Sequence, residues 1–151
     1  MVASGELLRL WAVRHIGVVS RTRSDRLGPL VATGPFARLR NPLYFGNIAL
    51  WVGFAASAGL VRLIPPIVLL LAMEYHAIVR WEERLLEGRL GDNYREYAGR
   101  VPRWIPCRGR GVLEHENANS TFSWRDTLFS ERGTFLAIVA GYLLLWCKSQ
   151  V

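Results

Sequence analysis

Arg40, Asn41 and Tyr44, set in Arg40-Asn41-Pro42-x-Tyr44-x-Gly46, and the adjacent acids Glu82 and Glu83 are the residues whose types and spacing suit chemistry. A guanidinium orients an anionic group through its fork of donors, and a carboxylate accepts from hydroxyls or an ammonium. On a helix His76, Arg80 and Glu83 share a face at i, i+4 and i+7, which makes Glu83 the natural ion-pair partner of Arg80; Glu82 points instead with Tyr75. His76 is the one convincing base for a nucleophile that must first lose a proton. On charge pattern alone the segment from Arg80 to Arg103 is an ordinary solvated helix laced with ion pairs. The case for chemistry rests on what it is brought against.

The elements that must bring these stretches together are membrane helices. From Asn41 to Val61 the chain carries no charge, and a helix over it would be about 30 Å long at ~1.5 Å per residue, the thickness of a bilayer's hydrocarbon core. Pro42 at a first helical turn costs no hydrogen bond, Asn41 can cap, and Gly46 leaves room for a ligand or a neighbouring backbone. The first span is expected over roughly Leu43 to Leu60, with small residues from Gly53 to Gly59 that let another helix approach closely. Pro65-Pro66 then turns the chain into an antiparallel second span, about Ile64 to Val79, in whose later half Glu74 and His76 stand. Ionisable residues at that depth are costly and point either to function or to snorkelling at the polar end.

Leu7 to Val19 is apolar but interrupted by Arg9, Arg14 and His15, which reads as an interfacial helix or as the cytoplasmic end of a longer spanning helix. A basic loop with Arg21, Arg23 and Arg26 follows it. The chain thus divides into an N-terminal helix and loop (1–29), the hairpin with its charged continuation (30–106), a polar linker (107–133) and a short C-terminal membrane helix (134–151). Cys107 and Cys147 lie far apart and form no metal or redox motif, and Glu114-His115-Glu116 sits in the linker without further ligands. No cleaved signal peptide is read at the N-terminus.

Hydrophobic residues make up 51% of the 151 residues and charged ones 21%, segregated into apolar blocks and basic connectors as in a membrane protein. Nineteen Lys and Arg against twelve Asp and Glu give +7, an excess that beside apolar spans signals topology and anionic lipid rather than nucleic acid. The arginines flank the open ends of the hairpin while its own loop holds Arg62 alone, so both open ends are expected in the cytoplasm. The expected fold is therefore all-α and multi-pass transmembrane, with the Arg40 motif facing Glu82-Glu83 in a site open to cytosolic cofactors and walled toward lipid.

Leu30-Val31-x-x-Gly34-Pro35-Phe36, Arg40-Asn41-Pro42-x-Tyr44-x-Gly46, Glu82-Glu83-x-x-Leu86-x-x-x-Leu90-Gly91-x-x-Tyr94-x-x-Tyr97 and Val101-Pro102-Arg103-x-Ile105-Pro106 together resemble the isoprenylcysteine carboxyl methyltransferase family and its phospholipid-methyltransferase relatives. The resemblance implies an integral membrane enzyme that binds S-adenosylmethionine at its cytosolic face and admits a lipophilic substrate from the bilayer. Its cofactor contacts fall on Leu30, Val31, Phe36, Asn41, Pro42, Leu43, Tyr44 and Glu82. A histidine is usual where Asn41 stands and a tyrosine where Phe36 stands, and an asparagine keeps a donor and an acceptor but does not titrate.

Methyl transfer from a sulfonium to a carboxylate, a thiolate or a phospholipid head group asks mainly for positioning, and Arg40 or Arg80 is expected to orient an anionic group. An NADPH-dependent reductase of the sterol-reductase type has a similar Arg40 motif, but it matches Glu82-Glu83-x-x-Leu86 less well and usually carries an acid where Asn47 stands. A catalytically silent membrane module, pairing through the small-residue face of the first span, is the third reading.

Overall fold

The computed structural model describes residues 1–16, 30–106 and 123–150, and no strand occurs among these described residues. Five α-helices carry the architecture: α1 (Val2–Ile16), α2 (Pro42–Ser57), α3 (Ile64–Leu90), α4 (Asp92–Arg100) and α5 (Trp124–Ser149). Cys107 and the Glu114-His115-Glu116 stretch lie outside the described residues.

Local chemistry sets the boundaries. α2 starts on Pro42, but Asn41 does not cap it with its side chain; the amide is engaged elsewhere, as described below. α2 ends in a Schellman turn, with Gly59 N–H bonding the Ala56 carbonyl at 3.1 Å and Leu60 N–H bonding the Ala55 carbonyl at 2.8 Å. Gly59 takes φ +74° there, a left-handed value that glycine adopts without a Cβ penalty. Gly91, at φ +55°, breaks α3 from α4. The Ser123 side chain accepts from Arg125 N–H and Asp126 stands in the first turn, so α5 starts at Trp124, well before Thr134 where the apolar run begins.

Two helical stretches are long and apolar enough to cross a membrane, Val61–Leu90 and Trp124–Ser149. Of their most apolar windows only 0% and 6% respectively is buried inside the molecule. A core helix of a soluble protein would be covered; these leave Leu69, Leu70, Met73, Leu136, Val139, Leu143 and Leu144 exposed, as lipid-facing helices do. At 27 residues α3 is about 40 Å long, more than the ~30 Å thickness of a hydrocarbon layer, and its charges fall in its last turns. α2 has 16 residues, about 24 Å, shorter than the span read from the uncharged run because the Schellman turn ends it.

α1 lies antiparallel along α2. Its buried residues, Val2, Gly5, Glu6, Arg9, Ala12 and Val13, recur at helical spacing. Glycines on both helices permit the approach: a Cβ on Gly46 would sit 2.9 Å from the Gly5 carbonyl oxygen, and one on Gly53 would sit 2.7 Å from Val2 N. The room beside Gly46 is thus filled by a neighbouring backbone. α5 runs parallel to α2, with Tyr142 against Phe54 at 5.3 Å between ring centroids. At its start, Trp124 lies beneath the Arg14 guanidinium, 4.3 Å from the ring centroid. The end of α1, the start of α2, the end of α3 and the start of α5 therefore gather at one end of the bundle.

Candidate functional site

At that end the motif turn and the charged extension of α3 meet. Gly34 opens the turn at φ +58°, and a Cβ on it would collide with the His15 ring, 2.4 Å from Nε2. His15 Nδ1 is in turn 3.2 Å from Thr33 Oγ1. Burial, and then the adjacent Arg14 charge, lowers the His15 imidazole from its ordinary value.

Residues 101–106 form a strap stitched to the motif on both sides of the Arg40–Asn41 bond. Arg40 N–H donates to the Pro102 carbonyl at 3.0 Å, and Asn41 Nδ2 donates to the Arg103 carbonyl at 3.2 Å. The amide expected to cap α2 is thereby committed to the strap. Beneath lies a small core of Tyr94, Tyr97 and Val101, on which Leu30, Ala32, Leu86 and Leu90 pack. Tyr97 donates its hydroxyl proton to the Phe36 carbonyl at 2.8 Å, and burial holds that phenol far above its ordinary titration range, so it remains a donor.

The two acids part company. Glu83 does not pair with Arg80 as the helix spacing had it; its carboxylate takes Arg40 Nη1 and Arg103 Nε, each at 3.0 Å on Oε1, and Arg103 Nη2 on Oε2. The i,i+3 geometry with Arg80 lost to a bidentate fork supplied by the strap, a stronger arrangement. Arg103 is raised from its ordinary value chiefly by those hydrogen bonds from its own guanidinium. Arg80 is exposed on α3. Glu82, one residue earlier and turned away, accepts the Tyr44 hydroxyl at 2.9 Å. Tyr44 packs its ring on Tyr75 at 4.8 Å, which places Tyr75 and Glu82 on the same face, as their i,i+7 spacing requires.

The Arg40 motif and the Glu82-Glu83 segment thus face each other, as the hairpin reading expected. Of the positions in the resemblance, Tyr44 and Glu82 touch directly, and Asn41 sits against the strap. Pro42 is buried and Leu43 half-buried; Phe36 is buried and Leu30 packs into the tyrosine core, so both shape the wall. Val31 is half-buried. Beside this end a groove of about 450 Å³ opens between α2 and α3, lined by Ile48, Ala72, Met73, His76, Ala77 and Trp104. His76 is its titratable group. Among the described residues no three of His, Cys, Asp and Glu gather to hold a metal ion.

Sequence reasoning gave Arg103 no role beyond closing the charged segment and standing in the resemblance motif, and it missed a second polar cluster formed by Arg9, Asn47 and Glu131. The signal for the second was present: a charge in an apolar helix requires a partner, and Arg9 and Glu131 have opposite signs.

With this geometry in place, a family model for phospholipid methyltransferases matches residues 1–93. The chain belongs to the phospholipid methyltransferase family. That family is part of the isoprenylcysteine carboxyl methyltransferase-like superfamily, and membership implies a membrane methyltransferase. The matched region takes in α1, α2 and Glu82-Glu83, while Arg103 and α5 stand beyond it. The chain is 33% identical over 98 residues to the nickel-cobalt-cadmium resistance protein NccN of Alcaligenes xylosoxydans xylosoxydans, a match covering 65% of this chain and 43% of that protein. It is 30% identical over 98 residues to the cobalt-zinc-cadmium resistance protein CzcN of Cupriavidus metallidurans, covering 65% of this chain and 42% of that one. The matches thus span less than half the length of these curated relatives. No solved structure matches the chain.

Proposed function

We propose that this chain is an integral membrane S-adenosylmethionine-dependent methyltransferase acting on a lipophilic or membrane-associated acceptor that bears a carboxylate, a thiol or a phospholipid head group. The observation that carries the reading is the Tyr44–Glu82 contact beside the Arg40–Glu83–Arg103 clamp, at the polar end of a lipid-facing hairpin. The residues fit the group: an acceptor carboxylate for ribose hydroxyls or an ammonium, aromatic faces for adenine or a cationic sulfur, and an apolar wall. When bound, S-adenosylmethionine supplies an electrophilic methyl group on a sulfonium.

In this reading Glu82 anchors the cofactor and Tyr44 holds the Glu82 carboxylate in place. Leu30, Val31, Phe36, Pro42 and Leu43 shape the apolar wall, and Asn41 ties it to the strap. Arg80, exposed at the groove side of the site, orients an anionic acceptor, while Arg40 keeps the motif closed through Glu83 and adds positive potential to the same place. The α2–α3 groove takes the lipophilic part of the acceptor from the bilayer. We assign the site to the cytoplasm because Arg14, Arg84, Arg89, Arg95, Arg100 and Arg103 crowd its end of the bundle, whereas Arg62 and Lys148 mark the other.

The test is a ligand-induced thermal shift of the detergent-solubilised chain with S-adenosylmethionine, its demethylated product and NADPH. Stabilisation by the first two follows from this reading; at a hundredfold excess over Kd it amounts to about 2.7 kcal/mol. A shift with NADPH alone would overturn it in favour of a reductase.

A further inference from the structure

Between α1, α2 and α5, deeper in the bundle than Glu82, lies the most buried charge among the described residues. Glu131 is 0% exposed and Arg9 6%. Arg9 Nη2 donates to Glu131 Oε2 at 2.7 Å and to Thr134 Oγ1 at 3.2 Å, and Thr134 itself donates to Glu131 at 3.0 Å. Glu6, one turn earlier on α1, lies 3.4 Å from Arg9 Nε. A guanidinium at this depth is tolerable only when paired and hydrogen-bonded. Docking of helices alone would be served as well by apolar packing, so the retained charge calls for another use.

The remaining nitrogen of Arg9 points to that use. Its Nη1 donates to Asn47 Oδ1 on α2. With its oxygen taken by a cation, the Asn47 amide is fixed against flipping and turns its NH2 toward other partners. Asn47 stands one turn after Tyr44 on α2, which brings its side chain beside the Tyr75 hydroxyl of α3. Tyr75 then packs on Tyr44, and Tyr44 donates to Glu82. A continuous set of contacts therefore joins α5 to the carboxylate assigned to the cofactor.

We propose that Arg9 and Glu131 are positioning residues for the Glu82 carboxylate: Glu131 holds the guanidinium, the guanidinium fixes the Asn47 amide, and Asn47 sets the Tyr75 ring against which Tyr44 presents its hydroxyl. This inference rests on Glu82 being the cofactor contact. It extends that reading by assigning α5, which lies beyond the family-matched residues, a part in tuning the site.

The experiment uses the full chain in detergent with 3-fluorotyrosine placed at position 75 alone. Glu131→Gln removes the charge and keeps the shape, and Arg9→Lys serves as a second variant should the first not fold. Tyr142→Ala loosens the far end of α5, where Tyr142 meets Phe54 and lies 3.5 Å from Ser57 Oγ, and controls for helix docking. We expect Glu131→Gln to move the fluorine resonance without any ligand and to weaken S-adenosylmethionine binding about threefold to thirtyfold, with Glu131→Asp recovering part of both. Tyr142→Ala should lower the thermal midpoint and change neither. An unmoved resonance in Glu131→Gln, or equal changes in Tyr142→Ala, would overturn the proposal. A wild-type chain that fails to bind S-adenosylmethionine while the resonance still moves refutes the cofactor reading and supports the coupling from α5.

Discussion

Replacing Glu83 by glutamine separates the two adjacent acids most sharply. The Glu83 side chain is 14% exposed, between Arg40 at 15% and Arg103 at 33%. Glutamine keeps one acceptor oxygen but loses the charge and the bidentate fork, leaving two guanidinium groups facing each other. Breaking a fully buried pair costs about 3–5 kcal/mol. Water reaching a third of Arg103 recovers part of that, so Glu83→Gln should cost about 1.5–3 kcal/mol of stability. For a chain of this size that is a fall of roughly 3–12 °C in the thermal midpoint.

Glu82→Gln still offers an oxygen to Tyr44 and should cost less than about 1 kcal/mol in stability. It should instead weaken S-adenosylmethionine by about 1.5–3 kcal/mol, roughly tenfold to 150-fold, because a charged hydrogen bond to the ligand is lost. Differential scanning fluorimetry of both variants, with equilibrium titration of labelled cofactor well below the midpoint, reads both effects. Arg80→Gln belongs in the same series and should leave the ligand-free midpoint unchanged, since Glu83 is held by Arg40 and Arg103. If Glu83→Gln melts like wild type, or if both acids lose cofactor affinity equally, the assignment of one carboxylate to the clamp and the other to the ligand is wrong.

Alanine in place of Gly46 should lower the midpoint by the equivalent of about 1–3 kcal/mol, because its Cβ would stand 2.9 Å from the Gly5 carbonyl and force α1 off α2. The same change at Gly88, where nothing lies within 4 Å, should raise stability by about 0.5–1 kcal/mol. Cysteine probes in intact cells should be labelled from outside at position 62 and protected at position 92; the reverse pattern would invert the bundle. Since His15 is lowered from 6.5 in the fold, the unfolded chain takes up that proton first as the pH falls. Stability is then full above about 6.5 and is lost as the pH drops through the window between 6.5 and the lower folded value. His15→Gln should flatten that slope in thermal scans.

Much of this was legible before any coordinate. The uncharged run after Asn41, the paired prolines at Pro65 and the arginines at the hairpin's open ends follow from the local cost of placing charge in hydrocarbon, and they already required the Arg40 motif and Glu82-Glu83 to meet. The i,i+7 spacing of Tyr75 and Glu82 likewise set their common face, because helical geometry is a property of the backbone alone. What tertiary structure decided were the partners. Glu83 chose Arg40 and Arg103 over Arg80, and Asn41 chose the strap over the cap of α2, since a fork or carbonyl arriving from a distant segment outweighs a weak local alternative. Arg9 is among the charges by which Leu7 to Val19 reads as an interfacial helix or as the cytoplasmic end of a longer one. It lies inside because Glu131, arriving from far along the chain on a helix that starts earlier than its apolar run, compensates the charge, and only the packing of α1, α2 and α5 brings the two within hydrogen-bonding distance.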